Sequence, residues 1–343
     1  MTSASGAFTE VAALLPAAED PLALSANESP FAPLPSVQSA LVASIGVGNR
    51  YPEILPERLR ALIAGHVGLG NEQVIVGSGA AGVALQVLHA LTSPGDRIVL
   101  ASPTFDGYPI LAEMARLTAV TVPLDTHGCH DLDAMAETAG RARLVVLCRP
   151  HNPTGTIESA AQVEQFLQRI PTDTVVMLDE AYVEFLAPEL RLDICSLLSR
   201  YPNMVVLRTF SKAYGLAGLR IGYGLCAPGL GRRLWAMQMP YGTAVTSLVA
   251  VAACFRAEKQ LEQRIRHITA ERRYLQMKLR SVGVYSTNSH GNFVYLPPTI
   301  RPWRSTFTQS GLQVRHYPDG ATRITVGPRT STRAILAAVA RNP

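Results

Sequence analysis

One lysine near the middle of the chain has the surroundings of a reactive amine. Only three of the 31 basic residues are lysines, namely Lys212, Lys259 and Lys278. Lys259 and Lys278 lie in a charged helical stretch, where a solvated helix face accounts for them, whereas Lys212 lies among glycines and hydroxyl residues. Lysine, unlike arginine, can lose its proton and attack a carbonyl carbon. The pattern therefore indicates an amine nucleophile at Lys212, with an ordinary loop lysine as the alternative.

Lys212 comes shortly after the apolar strand expected at 205–207, and other polar residues follow apolar strands in the same way. Asp179 ends an apolar strand, where burying a carboxylate is costly unless a cation meets it, and Tyr182 follows three residues later. Asn152 lies in a turn that two prolines and a glycine make rigid, directly after another strand. Because the carboxyl ends of parallel strands share one edge of a sheet, where ligands bind, we expect these side chains to meet Lys212.

Residues 77–82 form a G-x-G-x-x-G turn between a strand and a helix. A dinucleotide-binding fold would place an acidic residue at the end of the next strand, about 20 positions on. That strand ends in Ala101-Ser102-Pro103, without an acid. The glycine turn still offers backbone N–H groups at a helix N-terminus to a phosphate. The turn thus favours a phosphate-bearing ligand over a nicotinamide or flavin dinucleotide.

The combined set of side chains matches the needs of a pyridine cofactor that carries an aldehyde and a phosphate. An amine forms the Schiff base, and a carboxylate keeps the ring nitrogen protonated so that the ring withdraws electrons. An amide and a phenol can bond the ring oxygen, and a cation such as Arg220 can bind the phosphate. No other common cofactor requires this whole set.

Composition limits the remaining possibilities. The chain has 343 residues and a net charge of +5, and its arginines are not interleaved with aromatics as in a nucleic-acid surface. No apolar run approaches the roughly 20 residues of a membrane helix, and the N-terminus lacks the basic region of a secretory signal. The five cysteines have no C-x-x-C spacing, and the run 127–130 (HGCH) suits a loop better than a metal site. We expect a cytoplasmic protein with small anionic ligands and without metal, membrane or nucleic acid.

Apolar strands alternate with helical segments from residue 74 to about residue 207. This alternation predicts an α/β fold, with helices on both faces of a mostly parallel sheet. One long helix is expected over 243–280, and the tail predicts a smaller α+β domain. The expected division is an N-terminal arm at 1–30, a large cofactor-binding domain at 46–238, and a small domain made of 31–45 and 239–343.

The run VVLRTFSKAYGLAGLRIGY at 205–223 resembles the lysine motif of the class II, fold-type I pyridoxal-phosphate aminotransferases, in the histidinol-phosphate and aromatic (phenylalanine) aminotransferase branch. The resemblance extends over nearly the whole chain from residue 24 to about residue 327. Further motifs match in the family's order, namely NESP at 27–30, NRYP at 49–52, NPTG at 152–155, DEAYVEF at 179–185, NFV at 292–294 and RITVG at 323–327.

The resemblance implies a role for each candidate residue. Lys212 would form the Schiff base with pyridoxal 5'-phosphate and then act as general acid and base. Asp179 would pair with the pyridinium nitrogen, Asn152 and Tyr182 would bond the ring oxygen, and Phe105 would stack on the ring. The phosphate would be held by Ala80, Ala81, Thr209, Ser211 and Arg220, with Tyr51 reaching in from the partner subunit of a homodimer.

Substrate choice is the least specified part of the resemblance. Arg323 would bind the substrate α-carboxylate bidentately, and Asn152 would also contact the substrate. Arg315 matches an arginine that helps with the substrate phosphate in histidinol-phosphate enzymes but also occurs in aromatic ones. The segment 31–37 leans toward the aromatic members, and Ala81 stands where the family usually has an acidic residue.

We therefore expect amino transfer between an aromatic amino acid and a 2-oxo acid such as 2-oxoglutarate. A histidinol-phosphate aminotransferase is the first alternative. A decarboxylase of an amino-acid phosphate that uses the same cofactor is the second. A non-catalytic binding protein that keeps the fold is a more distant one, because Lys212, Asp179 and Arg323 are all retained.

Overall fold

The computed structural model of the chain describes Ala17 and residues 19–341. The expected N-terminal arm therefore lies outside the described residues at 1–16 and 18, as do the last two residues of the expected small domain. From residue 19 onward the chain is continuous, and it contains every candidate site residue.

Eleven strands among the described residues form two sheets. The strands are β1 (Ala23–Leu24), β2 (Val74–Ser78), β3 (Arg97–Ser102), β4 (Thr118–Pro123), β5 (Leu144–Cys148), β6 (Val175–Asp179), β7 (Met204–Thr209), β8 (Ile221–Cys226), β9 (Phe293–Leu296), β10 (Gln313–His316) and β11 (Thr322–Thr325).

The larger sheet has seven strands in the order β2-β8-β7-β6-β5-β3-β4. All neighbouring strands from β7 to β4 run parallel, and β8 lies antiparallel between β2 and β7. Alternate residues of β5 enter different cores, Val145 and Leu147 on one face and Leu144 and Val146 on the other. Burial on both faces explains why these strands are continuous apolar runs. The expectation of a mostly parallel α/β sheet is confirmed.

Helices cover both faces of this sheet, and two further helices pack on the smaller one. They are α1 (Pro35–Ser44), α2 (Glu57–Val67), α3 (Gly79–Leu91), α4 (Gly107–Met114), α5 (Leu132–Ala139), α6 (Ala160–Arg169), α7 (Ile194–Arg200), α8 (Pro228–Trp235), α9 (Val245–Arg256), α10 (Glu258–Ser281), α11 (Trp303–Thr308) and α12 (Arg329–Arg341). Short 3-10 helices occupy Ile45–Val47, Asn71–Gln73, Val183–Phe185, Pro188–Leu190 and Ala217–Leu219. Within the described part of the chain, no helix is both long and apolar enough to cross a bilayer.

The prediction of a single long helix over 243–280 is wrong. The chain forms α9 and α10 instead, with a break at Ala257, whose φ of −101° and ψ of 27° are not helical. Alanine is the best helix former, so the residue itself does not cause the break. The two helices pack differently, because α9 lies against α1 and α2 whereas α10 lies against α12 and β9. Tertiary packing therefore overrides the local helical pattern here.

The smaller sheet has the order β1-β10-β11-β9. Its first strand comes from residues expected in the N-terminal arm, and it pairs in parallel with β10. Across the other strands Arg315 pairs with Arg323, and Arg323 pairs with Tyr295. Because directly paired residues point to the same face of a sheet, these three side chains form one row. The small sheet thus presents two neighbouring arginines on one face.

Candidate active site

Lys212 lies in the turn that follows β7. Its Nζ donates a hydrogen bond to the backbone oxygen of Ala26 at 3.2 Å and lies 6.0 Å from the centre of the Tyr182 ring. Burial, together with the positive charge of Arg323, lowers the pKa of the Lys212 amine to about 8. Among the described residues no carboxylate forms an ion pair with it. An appreciable share of this amine is therefore unprotonated near neutral pH.

Asp179 ends β6 at the same edge of the large sheet. Its side chain is 6% exposed and accepts hydrogen bonds from the Tyr108 hydroxyl at 2.6 Å and from the Ala181 N–H at 2.9 Å. Burial raises the pKa of this carboxyl group, and the two hydrogen bonds oppose the rise. No salt bridge to Asp179 occurs within the described ranges. The site thus holds a buried acid suited to a cationic ring nitrogen.

Tyr108 is a site residue that the sequence reasoning missed. It belongs to α4, and its ring meets the Phe105 ring edge to face, with 5.6 Å between centres. Burial and the neighbouring carboxylate raise the pKa of its hydroxyl, so the hydroxyl remains a donor toward Asp179. The three-residue spacing from Phe105, which places both rings on one side of the segment, is the signal that could have identified it.

Tyr182 is held by a second missed residue, Asn27. The Asn27 amide donates to the Tyr182 hydroxyl at 3.0 Å, and burial raises the pKa of that hydroxyl. Asn27 has a φ of 54°, and its backbone is fixed by hydrogen bonds with Thr325 and Asn292. Asn and Gly are the residues that adopt such a conformation most readily. The motif at 27–30 therefore contributes a residue that orients Tyr182.

Arg323 and Asn152 meet across the two sheets. Arg323 Nη1 donates to the Asn152 Oδ1 at 2.5 Å, and Nη2 donates to the Ser25 backbone oxygen at 2.6 Å. Arg323 is 6% exposed, its Nε has no hydrogen-bond partner, and it forms no salt bridge within the described residues. A buried guanidinium without a counter-charge is unfavourable unless a ligand supplies one. The arrangement suits a carboxylate that binds bidentately.

The N-terminus of α3 lies directly against the turn before β8. The Gly79 N–H donates to the Arg220 backbone oxygen at 3.1 Å, and both residues have positive φ. A Cβ on Gly79 would overlap the Arg220 guanidinium, and a Cβ on Gly222 would overlap the backbone of Gly79 and Ala80. Two glycines thus allow the helix N-terminus and the arginine to approach each other, which is how anion sites are built.

Two hydroxyl residues lie close to this turn, Thr209 at the end of β7 and Ser211 just after it. Thr209 Oγ1 donates to Ser211 Oγ at 2.9 Å, and the Ser211 N–H donates to Thr209 Oγ1 at 3.1 Å. Both residues are buried. Together with the α3 backbone at Ala80 and Ala81 and with the Arg220 cation, they form the donor set that a phosphate monoester requires. The residues present therefore fit pyridoxal phosphate, with an amine, an acid and a phosphate site.

The structure does not bring all of the expected residues together. Tyr51 is 84% exposed and packs on Tyr241, with 4.9 Å between ring centres, and neither ring contacts a candidate site residue of the same chain. Arg315 is half-exposed and pairs with Asp106. Phe105 is partly buried beside Tyr108. The role of Tyr51 across a subunit interface stays a prediction.

Comparisons with known proteins agree with this geometry. The sequence profile of the family described as aminotransferase class I and II matches residues 19–341. An aromatic amino acid aminotransferase of Cutibacterium acnes is 43% identical over 279 residues, which cover 81% of this chain and 79% of that protein. The aromatic amino acid aminotransferase of Streptomyces avermitilis is 38% identical over 325 residues, covering 93% and 90%. The histidinol-phosphate aminotransferase of Sinorhizobium meliloti, solved in complex with pyridoxal-5'-phosphate, superposes with a TM-score of 0.87 at 28% identity, covering 94% of this chain and 91% of that one.

Proposed function

Because the chain belongs to the aminotransferase class I and II family, we propose that it transfers the amino group of an aromatic amino acid to a 2-oxo acid such as 2-oxoglutarate. The chain is a pyridoxal-phosphate-dependent aminotransferase of fold type I. The observation that carries the substrate class is the buried Arg323 guanidinium, which has no carboxylate partner among the described residues and whose charge acts on the Lys212 amine, an arrangement that suits an α-amino acid. The aromatic preference is supported by the relatives at 43% and 38% identity, both named for it.

The contacts of the expected cofactor residues support the proposal. Pyridoxal phosphate, when bound, withdraws electrons from the substrate Cα and so makes its proton removable. Lys212 would hold the cofactor through Nζ and, when released, takes the proton from the substrate Cα. Its lowered pKa suits this role, because a general base works best when its pKa lies near the operating pH. Asp179 would meet the ring nitrogen, with Tyr108 fixing its carboxylate.

The remaining candidate residues would bind the cofactor and the substrate and hold them in place. Asn152 and Tyr182 would bond the ring oxygen, and their own partners Arg323 and Asn27 hold them in place. Phe105 would lie against the cofactor ring, and the Tyr108 ring packs edge to face on Phe105. The phosphate would be held by Ala80, Ala81, Thr209, Ser211 and Arg220, and the substrate α-carboxylate by Arg323.

The proposal includes a homodimer in which Tyr51 completes the partner's phosphate site. Several large apolar side chains around this residue are exposed in the single chain, and a protein–protein contact would explain such a patch. The members of the patch are Tyr51, Ile54, Met237, Met239 and Tyr241. The division into an arm, a large domain at 46–238 and a small domain made of 31–45 and 239–343 is part of the same proposal, and the two separate sheets support it.

A panel of amino donors with 2-oxoglutarate tests the proposed reaction. Phenylalanine, tyrosine, tryptophan and histidinol phosphate are compared by kcat/KM, with wild type, Lys212→Ala and the control Lys259→Ala, which changes an exposed lysine. Aromatic donors should give the highest values, Lys212→Ala should lose the absorbance band of bound cofactor, and Lys259→Ala should match wild type. A preference for histidinol phosphate, or carbon dioxide release without a 2-oxo acid, would refute the proposed substrate.

A further inference from the structure

Arg264 lies on α10 and reaches two segments that border Lys212. Its Nη1 donates a hydrogen bond to the Tyr214 backbone oxygen at 3.2 Å, and its Nη2 donates to the Ala32 backbone oxygen at 2.5 Å. Tyr214 comes two residues after Lys212 in the turn that follows β7. Ala32 belongs to the N-terminal stretch that also supplies Ala26, whose oxygen accepts the hydrogen bond from Lys212 Nζ. One guanidinium therefore joins the two segments.

The N-terminal stretch at 25–32 is anchored at both of its ends. At its start, the Ser25 backbone oxygen accepts a hydrogen bond from Arg323 on β11. Toward its end, the Arg264 guanidinium lies 5.9 Å from the centre of the Phe31 ring. The same ring meets the His267 ring edge to face, with 5.4 Å between centres. The small sheet thus holds the start of segment 25–32, and α10 holds its end.

The turn after Lys212 leaves room for Arg264 to approach. Gly215 has a φ of 72°, and a Cβ on it would lie 2.8 Å from Arg264 Nη1 and 3.2 Å from the Ser29 Cβ. Glycine adopts this conformation without strain and has no side chain to fill the space. The Gly215 N–H donates to the Lys212 backbone oxygen at 3.2 Å. The place of Arg264 is therefore coupled to the backbone of Lys212.

Arg264 has no carboxylate partner among the described residues. Arg266, two positions further along α10, lies 3.6 Å from a carboxylate oxygen of Glu262. Burial lowers the pKa of the Arg264 guanidinium, so the protein bears a cost for placing a cation there. Charge-assisted hydrogen bonds to two carbonyl groups offset part of that cost. The planar fork of an arginine can reach two separate carbonyl groups, which suits it to fix two segments relative to each other.

We propose that Arg264 is a positioning residue for Lys212. By holding Tyr214 in the turn and Ala32 in segment 25–32, it keeps both segments packed around the amine. Arg264 itself would touch neither the cofactor nor the substrate. The inference rests on the proposed function, in which Lys212 is the reactive amine, but its main readout is a property of the protein without substrate.

The state of the Lys212 amine reports on this packing. The charged and titratable groups that act on the amine or face it are Arg323, Glu28, Asp179, Arg220 and Tyr182. Burial is the largest cause of its lowered pKa of about 8. Loosening the two segments should hydrate the amine and raise this pKa by about one unit, part of the way to that of an ordinary lysine. The free amine at pH 7 would then fall about tenfold.

Competitive labelling with a trace acetylating reagent measures the pKa of the Lys212 amine in the full-length, cofactor-free protein. The proteins are wild type, Arg264→Gln, Arg264→Lys and the control Arg266→Gln, which changes an exposed arginine on the same helix. The pKa should rise by about one unit in Arg264→Gln. It should rise by about half a unit or more in Arg264→Lys, which keeps the charge but loses the fork, and stay unchanged in Arg266→Gln.

Steady-state kinetics of the holoenzyme give a second readout, with phenylalanine as donor and 2-oxoglutarate as acceptor. The kcat should fall about tenfold in Arg264→Gln, because Lys212 moves the proton. The KM for phenylalanine should stay within about threefold of wild type, because Arg323 still binds the α-carboxylate. A higher KM with an unchanged kcat would overturn a role that acts through Lys212.

The labelling outcomes decide the role of Arg264. A pKa rise smaller than about half a unit in Arg264→Gln overturns the inference, even if the melting temperature falls, because the arginine would then stabilise only the fold. A rise that is absent in Arg264→Lys also overturns it, because the loss of charge alone would then explain the rise. If Arg264→Gln does not fold, the result for Arg264→Lys decides by the same threshold. A wild type without aminotransferase activity refutes the proposed function, and the labelling still decides the role of Arg264.

Discussion

The lowered pKa of Lys212 gives the most direct physical test of the site. With a pKa of about 8, roughly a tenth of the amine is unprotonated at pH 7, compared with about 0.03% for an unperturbed lysine. The expected gain in free amine is therefore about 300-fold. Removing the neighbouring charge by Arg323→Gln should raise this pKa, but only part of the way, because burial is the larger cause.

Competitive labelling with a trace amine reagent measures this pKa in the cofactor-free protein. The extent of acetylation is followed from pH 6 to pH 11 by mass spectrometry of the lysine-containing peptides. Lys259 and Lys278, which lie on α10, are internal references in the same sample. Lys212 should titrate near pH 8 in the wild type and at a higher pH in Arg323→Gln. Titration of Lys212 together with both reference lysines would refute the argument that burial prepares the amine.

The same shift has a consequence for stability, and its sign can be worked out. Because the folded pKa lies below the unfolded one, the folded state loses its proton first. The cost of burying the ammonium group is present below about pH 8 and disappears as the pH approaches the unfolded value. The contribution of Lys212 to the free energy of unfolding should therefore rise with pH across this window. The difference in denaturation midpoint between wild type and Lys212→Met should shrink as the pH is raised.

Three further variants test other parts of the site. Tyr108→Phe removes a donor to a buried carboxylate, so cofactor affinity should fall about tenfold or more. In the same cofactor titration the control Tyr285→Phe, which changes an exposed ring, should bind the cofactor as tightly as the wild type. Gly222→Ala places a methyl group on the backbone of α3 and should lower both the melting temperature and cofactor affinity, whereas Gly229→Ala, in open space, should not. Arg323→Lys should raise the KM of every amino donor about a hundredfold with a smaller change in kcat, because one ammonium cannot make the bidentate contact; an unchanged KM would contradict the carboxylate role.

The fold could be predicted where local sequence and burial agree. Strands buried on both faces are unbroken apolar runs, so β5, β6 and β7 are recognisable, and the polar residue at the end of each run marks the edge where ligands bind. This is why Asp179 and Lys212 could be placed in one site from the sequence. The break at Ala257 could not be predicted, because it depends on what α9 and α10 pack against.

The supporting residues of the site were missed for a related reason. Tyr108 bonds Asp179 across 71 positions of sequence, and Asn27 bonds Tyr182 across 155. Their local signals, the spacing of Tyr108 from Phe105 and the place of Asn27 in the motif at 27–30, do not show which groups these side chains bond. Only the fold brings them to the reactive groups. Sequence reasoning finds residues whose chemistry is unusual, whereas the residues that orient them become visible through their contacts.

The charges of the site show why anionic groups on the cofactor and on the substrate fit it. Four cationic side chains, Lys212, Arg220, Arg315 and Arg323, surround the site, and Arg315 is the one among these described residues with a carboxylate partner within ion-pair distance. The other three leave about three positive charges unmatched. A cofactor phosphate and a substrate α-carboxylate together bring close to three negative charges. The anionic groups of the proposed cofactor and substrate therefore balance the unmatched cations of the described site.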